Sequence, residues 1–80
     1  MYLIDAKINN KLNILKVEFS NNIILSRLYD LNVKQGSKIT VIRESSKNAC
    51  ALILVEGRLV ALSNEICATI LVEKVGDNNE

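Results

Sequence analysis

Residues 27–42 read RLYDLNVKQGSKITVI, and residues 49–72 read ACALILVEGRLVALSNEICATILV. In the first stretch Gly36 marks a turn, after which Ile39 and Val41 alternate with polar neighbours, so Ser37–Arg43 is expected as a strand. Glu44–Asn48 is a polar loop. The second stretch opens on an unbroken apolar run, Ala49 to Val55, and Gly57 divides it from Arg58–Ser63. Two strands, Ala49–Glu56 and Arg58–Ser63, follow from that division. With Gly57-Arg58 as the central pair, glycine takes the first central position that a type II′ hairpin requires. Such a turn sets Val55 opposite Val60 and Leu54 opposite Ala61. Ser63-Asn64-Glu65 starts a single helical turn, and Thr69–Val75 is a last strand. Gly76–Glu80 is polar and is expected as a frayed tail.

Towards the N-terminus, Ile24, Leu25, Leu28 and Leu31 recur on one face of a helix, with Arg27 and Asp30 on the other. Ser20-Asn21-Asn22 supplies side chains that cap orphan N–H groups, and Asn32 suits the left-handed residue that ends a helix. The spacing therefore predicts a helix over 22–31. Leu12, Ile14, Leu15, Val17 and Phe19 form a strand with two readings. Either Leu12 and Ile14 point inward or Leu15, Val17 and Phe19 do, and a bulge reconciles the two. Asn9-Asn10-Lys11 marks a turn before it, and Met1–Ala6 is apolar with one acid. The expected fold class is mainly β: a single domain over 1–80, a small closed barrel of about five strands with one short inserted α-helix.

At 80 residues with 49% hydrophobic side chains, the chain holds one aliphatic core without staples. A net charge of +1, with scattered Lys and Arg and few aromatics, argues against nucleic acid as a partner. The run from Ala49 to Val55 is far too short to cross a bilayer, and the N-terminus lacks a signal-peptide shape. No membrane insertion is expected, and the expected location is the cytoplasm. Cys50 and Cys67 have no metal spacing and are read as reduced, small hydrophobes.

Nothing in the chain assembles an active site. There is no histidine, the commonest general base. Glu44, Glu56, Glu65 and Glu73 sit in loops or at strand ends and are read as solvated. Gly36 and Gly57 are isolated turn glycines rather than a phosphate-cradling loop. A specific site for a divalent transition metal calls for imidazole or clustered carboxylates, so no catalytic residue, metal ligand or cofactor is assigned.

The same residues resemble the FeoA family, small cytosolic proteins associated with bacterial ferrous iron uptake. The family pattern is a helix ending R-L-x-x-L-G-[LI], then x-x-G-x-x-[VI]-x-[VI]; Arg27, Leu28, Leu31, Val33, Gly36, Ile39 and Val41 fall on it. A strand followed by G-x-x-[IV]-A-[LI] matches Gly57, Val60, Ala61 and Leu62, and a small residue followed by I-x-V matches Cys67, Ile70 and Val72. The departures are Asn32 where the family has glycine, Ser63 for a frequent Arg, Cys67 for a usual Ala, and Asn9 or Asn10 for a turn glycine. The resemblance implies an SH3-like barrel with an inserted helix and a role supporting the membrane GTPase transporter FeoB. It carries no catalytic motif.

If Ala51, Ile53 and Val55 point inward, as the family register implies, Leu52, Leu54 and Leu59 point outward, flanked by Glu56 and Arg58. This apolar strip either lies under the helix or the terminal segment, or is a surface for a partner or for self-association. Arg27 and Tyr29, near the exposed side of the helix, are weaker candidates. The leading expectation is a non-catalytic accessory protein that modulates a FeoB-like transporter. The alternative is a free-standing regulatory module related to the SH3-like domains of metal-responsive repressors. Recognition of proline-rich peptides is disfavoured by the absence of Trp.

Overall fold

The computed structural model describes residues 1–75. The expected frayed tail, 76–80, lies outside the described residues. Five strands form one antiparallel sheet: β1 (Lys11–Val17), β2 (Lys38–Arg43), β3 (Ala51–Val55), β4 (Arg58–Leu62) and β5 (Ile70–Lys74). Helix α1 (Asn22–Asp30) joins β1 to β2, and the single turn α2 (Asn64–Cys67) joins β4 to β5. A short 3-10 turn, Leu3–Asp5, buries Leu3 ahead of the first strand.

The strand order is β4-β3-β2-β1-β5. The expected closed barrel is corrected here: β4 and β5 stand at opposite ends of the sheet and do not pair, so the sheet curls without closing. Inside the curl, Leu12, Ile14, Ile53 and Ile70 are fully buried together with Val41, Val55 and Val72. Each such side chain contributes about 1.5–3 kcal/mol of burial free energy before chain entropy is charged against it.

The two readings of the first strand resolve into one. Leu12 and Ile14 face the core, the β1–β5 register shifts between Ile14 and Lys16, and Val17 returns to the inner side opposite Ile70. Leu15 sits at the irregularity and is exposed.

Helix α1 starts where its cap dictates. The Asn21 side chain accepts from the backbone N–H groups of Ile23 and Ile24 at 2.9 and 3.0 Å. Leu28 is buried, with Ile24 and Leu31 packed against the core. Asn32 ends the helix with φ of 64°, the left-handed conformation that its side chain tolerates.

The β3–β4 hairpin corrects a second expectation. Its central pair is Glu56-Gly57, with φ of 50° and 77°, and Val55 pairs with Arg58. Positive φ at both positions makes this a type I′ turn, whose twist matches the flanking strands. The register therefore slips by two residues from the expected one, pairing Leu54 with Leu59 and Leu52 with Ala61. Because the side-chain period is two, that slip leaves every residue on its expected face.

Candidate functional site

Leu52, Leu54 and Leu59 lie on the outer face of the sheet. Cross-strand pairing aligns Lys11, Thr40, Leu54 and Leu59 in one row across β1, β2, β3 and β4, and Arg43, Leu52 and Ala61 in the next. Leu52 and Leu54 are half-buried by these neighbours, whereas Leu59 is 59% exposed. Ala61 and Thr40 belong to the same face; the period-two alternation that assigns Leu59 also assigns them, although the sequence reading omits both.

Leu59 stands open to solvent, so no described element roofs its end of the strip, whereas Leu52 and Leu54 are covered in part. Beside Leu54 the surface dips into a shallow groove of about 280 Å³, lined by Lys11, Lys38, Thr40, Glu56, Gly57 and Val75 among others. The site is thus an apolar patch with a mixed-charge rim.

Arg27 and Tyr29 are placed elsewhere. Both are exposed on α1, and the Lys34 ammonium sits 4.3 Å from the centre of the Tyr29 ring. Such a contact contributes about 0.5–1 kcal/mol at an exposed site. Tyr29 borders a separate groove with Lys16, Val17, Leu25 and Val33. The structure groups the three leucines and leaves the two helix residues in a different neighbourhood.

Two further residues differ from their sequence reading. Glu44 accepts a hydrogen bond from the backbone N–H of Ile8 at 2.9 Å, which ties the N-terminal segment to the end of β2. Cys67 is fully buried and its thiol is pushed up to about 11, chiefly by burial and secondarily by Cys50. Cys50, in contrast, is exposed and does not act as a core residue.

Among the described residues no three His, Cys, Asp or Glu side chains gather where a metal could be held. No helix among them is long and apolar enough to cross a membrane.

A curled five-stranded sheet with one inserted helix, and a patch rather than a pocket as its candidate site, defines a small SH3-like domain. The chain belongs to the FeoA family: the FeoA domain matches residues 1–74. That family is associated with ferrous iron transport. A comparison with curated protein sequences finds no match.

Among solved structures, the chain is similar to the FeoA protein from Chlorobium tepidum, with 22% identity and a TM-score of 0.84, covering 99% of this chain and 75% of that one. It is also similar to Stenotrophomonas maltophilia FeoA complexed with zinc, with 18% identity and a TM-score of 0.77, covering 91% and 89%. A third similar structure is T. acidophilum IdeR, with 19% identity and a TM-score of 0.81; 94% of this chain covers 34% of that protein. At these identities the structural likeness carries the fold.

Proposed function

We propose that this chain is a non-catalytic cytosolic accessory protein of bacterial ferrous iron uptake, which binds and modulates a FeoB-type membrane GTPase transporter. The observation that carries the reading is the outer-face strip of half-buried Leu52 and Leu54 and exposed Leu59 on a domain of the FeoA family. Isolated exposed apolar residues are ordinary, but Leu59 paired with Leu54, with Leu52 on the same face in the next row, forms a patch suited to a partner. The accessory protein alters transport by preferring one state of the transporter over another, since equal affinity for all states shifts nothing.

The test is ferrous iron uptake in a host lacking the protein. Wild type is expected to restore uptake, and Leu54→Lys to fail while accumulating to the same level. Equal uptake in the presence and absence of the wild-type protein contradicts the reading.

A second reading is supported by the likeness to IdeR: a regulatory module attached to a metal-responsive repressor. It expects the domain to bind a repressor core and to leave uptake by the transporter unchanged.

A further inference from the structure

The two ends of the sheet are finished differently. The free side of β5 is covered by the N-terminal segment: Val72 N–H donates to the Met1 carbonyl at 2.8 Å, and Tyr2 bridges to Leu71. The Tyr2 hydroxyl then donates to a Glu18 carboxylate oxygen at 2.7 Å and holds that cover in place. No comparable cover protects β4 among the described residues. Among the described residues, no backbone hydrogen bond outside the β3–β4 ladder engages Arg58, Leu59, Val60 or Ala61.

The type I′ turn decides which groups are left free. A two-residue turn makes the flanking residues Val55 and Arg58 a hydrogen-bonded pair, and bonding then alternates along the ladder. Leu59 and Ala61 consequently aim their N–H and C=O groups away from β3, into solvent. Natural edge strands are blunted with proline, inward-pointing charge or a bulge. β4 reads RLVAL, keeps an unbroken register with β3, and exposes Leu59 and Ala61 on either side of the buried Val60 at its middle.

We propose that β4 pairs antiparallel with β4 of a second copy of this chain, centred on Val60, to give a two-fold dimer with one continuous sheet. Three features of the edge are complementary to themselves in this register. All the free backbone groups of Leu59 and Ala61 on both copies pair, because Leu59 of one copy meets Ala61 of the other, and conversely. Each large outer-face side chain thereby lies against a small one, whereas centring on Leu59 would set leucine on leucine. Charge completes the match: Arg58 opens β4 and Glu65 lies just past its end, both exposed. Two-fold pairing brings Arg58 of each copy alongside the Leu62–Glu65 segment of the other. Glu56, the nearest acid on the hairpin, is engaged towards Asn32, whose side-chain amide lies 3.5 Å from its carboxylate. An unrelated extended peptide would satisfy the backbone groups, but a second copy also supplies the small residue and the acid. The contact is isologous and closes as a dimer, with no growing filament.

Sedimentation equilibrium of the purified protein at low salt tests this without any transporter present. A concentration-dependent dimer is expected. Ala61→Pro should abolish it with circular dichroism unchanged, because the N–H it removes is not part of the β3–β4 ladder. Should that variant unfold, charge exchange remains decisive. Arg58→Glu and Glu65→Arg should each raise the dimer Kd by about tenfold, and together restore it to within about threefold. A monomer at concentrations up to about 1 mM overturns the proposal and leaves the edge to an extended segment of another protein. A dimer that folded Ala61→Pro leaves intact, or that the charge exchange does not restore, overturns it equally.

Discussion

Cys67 carries the clearest perturbation of any single side chain. Its sulfur is buried beneath β4 and lies 3.7 Å from the Leu62 carbonyl. Burial disfavours the thiolate, and the folded value moves to about 11 from an ordinary 9.0. The sign follows from proton counting. Below pH 9 both states hold the proton and the group is neutral to stability. Between about pH 9 and 11 the unfolded chain releases its proton while the folded chain keeps it, so stability falls as pH rises. Urea denaturation across that range is expected to show a declining midpoint, with the decline reduced in Cys67→Ala. That variant should also lose about 1 kcal/mol at neutral pH from the packing it gives up. The resemblance to the FeoA family, in which Ala is usual at this position, marks Cys67 as a small core residue, and its burial agrees. Its neighbour in composition, Cys50, is alike on paper but exposed, because alternation places it on the outer side of the residue that starts β3.

At the scale of elements, regular periodicity was readable and its interruptions were not. The apolar spacing of Ile24, Leu28 and Leu31 places α1 within a residue of its observed end, and the alternation of Ala51, Ile53 and Val55 faces β3 correctly. In β1 the alternation is broken by Leu15, and only pairing with β5 shows that the break is a register shift. The hairpin failed for a different reason. Glutamate has no preference for left-handed backbone, yet Glu56 is held at φ of 50° because strand twist favours a type I′ turn there. The ladder therefore overrides local propensity at a cost. Replacing Glu56 with Asn, which tolerates that conformation, is expected to raise stability by about 0.5–1 kcal/mol in urea titration. A loss of stability of similar size would mean that the Glu56 contact with Asn32 outweighs the backbone cost.

For the whole molecule, the outward direction of Leu52, Leu54 and Leu59 was legible from alternation, but what covers them was not. Whether a helix lies over a strand depends on connections that bring distant segments together. Here α1 packs Leu28 into the core, and on the outer face Leu59 and Ala61 of β4 are exposed while Leu52 and Leu54 of β3 are half-buried. Sheet closure was misread on the same grounds, since the number of strands does not say whether the first and last will pair. Arg27 and Tyr29, two residues apart on α1, project to different sides of the helix, and Tyr29 alone borders the groove beside it. The proposed function requires the leucine face to bind a FeoB-type transporter. The most direct test titrates the purified protein against the transporter's cytosolic region, with wild type compared with Leu54→Lys. Saturable binding is expected, weakened by about tenfold or more in the variant while circular dichroism shows the fold intact, as suits the loss of one leucine from a contact centre. No binding by the wild-type protein in any nucleotide state, to the fragment or to the full-length transporter, would contradict the claim.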